Sequence, residues 1–368
     1  MGLSAIETAA IEQARAAPML AQVERWVAVN SGTRNLPGLA TMADMLASAF
    51  SVLPGELTLV DPAPVETVDT RGDVLPLAHG RHLHLRVRPE APVQMLFTGH
   101  MDTVFPADHA FQTATWLPDG RLNAPGAADM KGGIAVMLAA LRAVEATPSA
   151  ERFGYEVVIN SDEETGSFAS AALIAQAAKG KVAALTYEPA LPDGTLAAAD
   201  LALRLAAAKG DGLAVNPARI EGGGPNNVVP DLAILRVNFR PASAEAIARA
   251  AAVVESATAE VATLHDVHVH VHGGFNRPPK PLDPGAERLF GLVKQAGADL
   301  DIPVAWKATG GVCDGNNIAA CGVPVVDTMG ARGGAIHSAE EFLIPESLPE
   351  RAALSALTIL RIIEKGRV

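Results

Sequence analysis

From residue 93 onward, short apolar runs alternate with stretches of helical character, and this alternation limits the fold more than any other feature of the chain. The order is VQMLFTG, GGIAVMLAALRAV, YEVVINS, FASAALIAQAA and VAALTYE. Short apolar runs separated by helical stretches predict an α/β sheet with helices on its faces. After residue 195 the texture changes. AILRVNFR (residues 233–240) and VHVHVH (267–272) alternate with period two and predict strands, and ASAEAIARAAAVVESATAEVATL (242–264) between them predicts a long helix. Past the proline-rich NRPPKPLDP (276–284) the first pattern resumes, with a helix near 285–297, a strand at VPVVDT and a closing helix around 347–364.

The large unit is therefore expected to be split by a smaller α+β insert, giving a first part at residues 1–195, an insert at 196–280 and a second part at 281–368. The length allows it: 368 residues with 49% hydrophobic content exceed what one core holds, since cores stop growing at roughly 250–300 residues. Charge excludes some partners. Lys and Arg number 29 against 41 Asp and Glu, for a net charge of -12, and no basic tract is present to track phosphates, so neither nucleic acid nor an anionic membrane is an expected partner. The start of the chain has acids at Glu7 and Glu12 and no continuous apolar stretch, so no signal peptide is expected. Two cysteines, Cys313 and Cys321, are too few for a disulfide framework and fit a cytoplasmic protein.

The loops that follow the apolar runs carry the chemistry. LFTGHMDTVFP (96–106) ends a strand with His100 and Asp102 two residues apart, and an acid at that spacing can hold the far ring nitrogen of a metal-binding histidine. NAPGAADMKGG places Asp129 in a glycine-flanked loop that leads into a helix, where it could equally be a helix-capping acid. VVINSDEETGS sets Asp162, Glu163 and Glu164 side by side, and adjacent carboxylates repel unless a cation or proton lies among them. LTYEPAL supplies Glu188 and GGAIHSAEEF supplies His337. Two histidines and four or five carboxylates, with no thiolate, suit a pair of Zn²⁺ ions, or Co²⁺ or Mn²⁺. Two metals sharing a hydroxide provide a nucleophile at neutral pH, and a carboxylate that binds no metal is then needed to move the proton.

In these motifs the chain resembles the co-catalytic zinc exopeptidases and deacylases, the family of glutamate carboxypeptidase, acetylornithine deacetylase, succinyl-diaminopimelate desuccinylase and aminoacylase. GHMDTVFP, GAADMKGG, SDEETGS, YEP and GGAIHSAEEF come in the family's order, and the resemblance runs from about residue 20 to the C-terminus. It implies a catalytic domain with a mixed sheet and helices on both faces, and an inserted lid and dimerisation domain. It implies that His100, Asp129 and Glu188 hold one zinc and that His337, Asp129 and Glu164 hold the other, with Asp129 bridging. Glu163 would be the general base and acid, Asp102 would orient His100, and the Asp129–Met130 peptide would be cis. Extended backbone points neighbouring side chains opposite ways, which suits a division of labour between Glu163 and Glu164. The expected reaction is hydrolysis of an amide bond next to a free carboxylate, on an N-acyl amino acid or short peptide, by a homodimer. GGGPNNVVPDLAILRVNFR and FNRPP point by the same resemblance to Asn227, Arg240 and Arg277 as the groups that bind the substrate carboxylate, a task that suits the planar fork of arginine.

Other residues have plainer readings. Cys313 in TGGVCDGNN is expected to be a small packing residue, since no base lies near it in sequence. His268, His270 and His272, like His82 and His84, are expected to face solvent. The chain also departs from the family. DGTLAAADLALRLAAAKGDGLAVNPARI passes from the catalytic half into what reads as the later part of a lid helix, and some forty residues of the family's lid have no counterpart around Ala199 to Leu201. No histidine lies between His109 and His265, so the lid histidine that stabilises an oxyanion is missing. A natural deletion, an engineered one or an omitted segment would each account for this. If the chain is whole, weak or no hydrolysis and a disturbed dimer are expected. The rival expectation is a non-catalytic metal- or ligand-binding homologue with an incomplete lid.

Overall fold

The computed structural model describes residues 3–68, 73–188, 210, 212–222, 233–265, 269–275, 280, 282–306, 313–336 and 338–368. Its centre is a six-stranded sheet. From one edge to the other the strands are Glu56–Val60, His82–Val87, Phe153–Asn160, Val93–His100, Ala183–Thr186 and Val325–Val326. The first three pair antiparallel and the rest pair parallel, so the sheet is mixed, as expected.

Strand geometry sorts the side chains into two cores, because successive residues point to opposite faces. Met95, Phe97, Tyr155, Val157, Ile159, Ala183 and Leu185 enter the larger core. There they meet the helices Ala5–Arg15, Met19–Val27, Gly132–Glu145 and Ser347–Lys365. Leu96, Val158 and Ala184 point the other way, to Ile174 and Ile318 on the helices Ala171–Ala178 and Asp314–Ala320. Each fully buried Leu, Val or Phe contributes roughly 1.5–3 kcal/mol, so both faces of the central strands are stabilising.

Register decides where the site can form. His100 lies opposite Asn160, and Thr98 lies opposite Thr186, so three parallel strands end nearly level. The loops that follow them open at one edge, the carboxyl edge where open α/β sheets bind ligands.

A separate unit consists of the antiparallel strands Leu213–Gly222 and Ala233–Pro241 with the helix Ala244–His265. Leu213 and Val215 are buried with Ala246 and Ala250 of the helix, and Leu235, Val237 and Phe239 pack against them. This corrects the reading of LAVNPARI as helix. Exposed Ala214 and Asn216 alternate with buried Leu213 and Val215, and that alternation is a strand's. VHVHVH is corrected too: residues 269–275 are described outside any strand, and His270 and His272 are exposed. His268 and the junction around Ala199 to Leu201 lie outside the described residues.

A third correction concerns His82 and His84. Their strand lies inside the sheet rather than at its edge, so His82 is buried, and the half-buried His84 places Nε2 2.6 Å from Glu156 Oε2. Among the described residues no helix is long and apolar enough to cross a membrane.

Candidate metal centre

His100 is the last residue of its strand and is 1% exposed. Its Nδ1 lies 3.0 Å from the backbone oxygen of Asp102 and 3.4 Å from Asp102 Oδ1. A carbonyl oxygen only accepts, so Nδ1 carries the proton. Nε2 is thereby turned toward acids, 3.0 Å from Asp129 Oδ1 and 3.7 Å from Glu188 Oε2. The Asp102 carboxylate does more than orient this ring. Its Oδ1 accepts from the Glu163 amide at 3.2 Å, and its Oδ2 accepts from the Glu164 amide at 3.3 Å and from the Thr33 hydroxyl at 2.7 Å.

Asp129 stands on a tight loop before a helix. Gly126 opens it at a φ of 71°, a left-handed conformation that favours glycine. The Asp129–Met130 peptide is cis. Glu341 reaches back across the chain to hold the loop, accepting from the amides of Gly126 at 3.1 Å, Ala128 at 3.0 Å and Asp129 at 2.9 Å. The helix that follows starts against the strand end bearing Glu188. A Cβ on Gly133 would stand 2.0 Å from the backbone oxygen of Tyr187, so only glycine allows this approach and keeps Asp129 close to Glu188.

Glu163 and Glu164 begin a short 3₁₀ turn after the strand Phe153–Asn160. Donor atoms of His100, Asp129 and Glu164 lie within 4.8 Å of one another, and so do those of His100, Glu163 and Glu188. Distance alone therefore brings both glutamates to the cluster without assigning either a role.

The electrostatics fit a cation site. Burial alone would lower the pKa of His100, but the Glu188 charge and the hydrogen bonds its ring donates to Asp102 and Asp129 raise it well above the ordinary histidine value. Burial pushes Glu188 up to about 7, against the opposing attraction of His100, and the nearby Asp129 and Asp314 charges add to the rise. Buried carboxylates converging on one imidazole have more negative charge than that imidazole can balance, and divalent ions relieve such a cluster. The donor set is oxygen and nitrogen only, which suits Zn²⁺, Co²⁺ or Mn²⁺.

The structure thus brings together His100, Asp102, Asp129, Glu163, Glu164 and Glu188. His337, Asn227 and Arg277 lie outside the described residues. Arg240 is exposed on its strand, and its Nε donates to Asn238 Oδ1 at 3.3 Å. Burial, then the nearby Glu188 charge, push the Cys313 thiol up, which fits a packing residue rather than a nucleophile. Sequence reasoning missed Thr33, Glu341 and Lys131. The last is 1% exposed with Nζ donating to the Val29 backbone oxygen at 3.0 Å. Glu341 and Lys131 sit inside motifs already singled out, so a buried partner for each was the available signal. Thr33 had none.

The comparisons agree on one family. Residues 96–361 match Peptidase family M20/M25/M40. Carboxypeptidase G2 of Pseudomonas sp. (strain RS-16) is 25% identical over 379 residues, covering 92% of this chain and 88% of that one. Among solved structures, a metallo-carboxypeptidase of the M20 family from Sulfolobus solfataricus is 14% identical with a TM-score of 0.68, covering 94% of this chain and 99% of the other. A dinuclear metal-binding peptidase of the same family from Bacillus subtilis is 17% identical with a TM-score of 0.59, covering 98% and 99%. With the match spanning most of the sequence and the whole cluster, the chain belongs to Peptidase family M20/M25/M40 and is a metal-dependent hydrolase.

Proposed function

We propose that this enzyme cleaves an amide bond next to a free carboxylate, as a carboxypeptidase of the glutamate carboxypeptidase type or as an N-acyl-amino-acid deacylase. The observation that carries the proposal is the convergence of His100, Asp129, Glu163, Glu164 and Glu188 at the carboxyl edge of three parallel strands, with donor atoms in two groups each within 4.8 Å. The likeness to carboxypeptidase G2 supports the carboxypeptidase side.

His100, Asp129 and Glu188 would hold one ion. Asp129, Glu164 and His337 would hold the second, with zinc the proposed metal and Co²⁺ or Mn²⁺ its substitutes. When bound, such a pair supplies Lewis acidity toward the scissile carbonyl and makes water acidic enough to attack at neutral pH. Glu163 takes the proton from the attacking water on its carboxylate and returns it to the leaving nitrogen. Asp102 keeps that carboxylate and Glu164 in place through their backbone amides while its own carbonyl fixes the His100 tautomer. Asn227, Arg240 and Arg277 would bind the substrate carboxylate.

The same reading divides the chain into a catalytic domain of residues 1–195 and 281–368 and a lid of 196–280 through which two copies pair. A cytoplasmic location rests on the two cysteines, both free. A short lid is part of this reading, and it is compatible with the carboxypeptidase G2 alignment, which runs over 379 positions but takes in only 92% of these 368 residues, leaving about forty positions with no residue of this chain. Loss of one oxyanion donor typically costs about 10²–10³ in rate, so turnover slower than that of a full-lid relative is expected.

Turnover of a panel of N-acetyl, N-succinyl and dipeptide substrates with added Zn²⁺ or Co²⁺ tests the proposal. Hydrolysis confined to substrates with a free carboxylate beside the bond supports it, and hydrolysis of none of them overturns it. Glu163→Ala should abolish turnover and leave bound metal near two per chain. Loss of metal instead would exchange the roles of Glu163 and Glu164.

A further inference from the structure

We propose that Asp314 is a positioning residue that fixes the loop bearing Glu163 and Glu164 by gripping both of its ends. The loop leaves its strand at Asn160 and turns back at Ser167, with six residues between. Asp314 opens the helix Asp314–Ala320, about 150 residues further along the chain. One of its carboxylate oxygens accepts from Asn160 Nδ2, and the other accepts from the Ser167 hydroxyl at 2.6 Å. All three side chains are buried, at 1%, 0% and 0% exposure.

A single grip would leave the loop a hinge, whereas two grips fix its span. The rest of the loop depends on that span. Within it the amide of Gly166 donates to the Glu163 backbone oxygen at 2.9 Å, and that of Ser167 donates to the Asp162 backbone oxygen at 2.8 Å. Ser167 sits at a φ of 55°, a left-handed conformation that a serine adopts only when its surroundings hold it there. Its hydroxyl bond to Asp314 supplies part of that hold. The grip and the Asp102 hydrogen bonds act on opposite sides of the turn: Asp102 fixes the amides of Glu163 and Glu164, and Asp314 fixes the ends. A carboxylate is suited to this because it presents two acceptors to two donors.

The inference rests on the reading of Glu163 as the proton carrier and Glu164 as a ligand, so the test separates the two. In Asp314→Ala, kcat should fall about 10- to 100-fold, the range seen when a group that orients metal-site residues is removed, with KM within about twofold. Hydrogen exchange at the amides of residues 161–167, measured on the metal-free protein, should rise. Asp314→Asn should recover most of the loss, since its amide oxygen can accept from Asn160 while its nitrogen donates to the Ser167 oxygen. Ser167→Ala, which removes one grip, should raise exchange and lower kcat by less than Asp314→Ala, and it keeps the test alive if Asp314→Ala does not fold.

A wild-type kcat in Asp314→Ala overturns the inference. So do equal losses in Asp314→Ala and Asp314→Asn with unchanged exchange, which would assign Asp314 a purely electrostatic part. If Glu163→Ala still turns over substrate, the catalytic reading fails instead, and the exchange result continues to judge the grip.

Discussion

Two of the loops that carry carboxylates to the candidate metal centre are held in different ways. The Asp129 loop is held by its backbone, with three amides donating to the single carboxylate of Glu341. The Glu163–Glu164 loop is held at its ends by side chains, the Asn160 amide and the Ser167 hydroxyl, and in its middle by Asp102. A backbone grip does not depend on which side chains the gripped residues carry, whereas a side-chain grip requires those donors. The first loop should therefore break through its acceptor or its packing, and the second through any of several residues.

The largest effect is expected from Glu341→Ala. It leaves three buried N–H groups without their acceptor, at about 1–3 kcal/mol each, so the metal-free protein should lose at least about 3 kcal/mol, read from its urea midpoint. A loss under about 1 kcal/mol would mean that the loop holds itself. Gly133→Ala comes next. Its new Cβ would press on the Tyr187 carbonyl, and overpacking of this kind costs typically about 1–3 kcal/mol. Zn²⁺ titration should also show weaker binding, because Asp129 and Glu188 are moved apart.

Thr33→Val acts on the second loop through Asp102. It removes the hydroxyl hydrogen bond to the Asp102 carboxylate and should cost about 1 kcal/mol in thermal or urea unfolding. An effect as large as that of Glu341→Ala would erase the contrast between the loops. The smallest effect is expected outside both, at Glu156. Burial pushes this carboxyl up, but hydrogen bonds from His84 and Lys181 outweigh it and hold the pKa below the ordinary 4.5. A carboxylate with a depressed folded pKa stabilises above its unfolded pKa, and that contribution is lost as the pH falls through the folded value. The stability gap between wild type and Glu156→Gln should therefore narrow as the pH drops below about 4.5, in unfolding followed across pH 3 to 7, while metal binding at pH 7 stays unchanged.

His100, Asp102, Asp129, Glu163, Glu164 and Glu188 were legible in the sequence because each sits at the end of an apolar run, just after one or just before a helix, where local pattern gives position. The sheet was legible from residue 93 for the same reason. The partners that hold these residues were not. Glu341 meets Asp129 across 212 positions and Asp314 meets Asn160 across 154, and no local spacing reports contacts of that range. Leu213–Gly222 was hidden as a strand because its alternation is short, contains Pro217 and follows an alanine-rich stretch of helical character. His82 was misread because the polar alternation of its strand is the same whether that strand lies at an edge or inside the sheet. The inner position is fixed by neighbours from elsewhere in the chain.

The level ends of the parallel strands also separate the candidate metal centre from where the protein can be handled. His100 closes one end of the Val93–His100 strand, and the exposed turn at Pro89 and Glu90 precedes the other. Eight residues of strand put roughly 25 Å between them. A dye, tether or solid support attached at Glu90 would stand at the opposite end of the strands from the candidate metal centre, leaving that edge open.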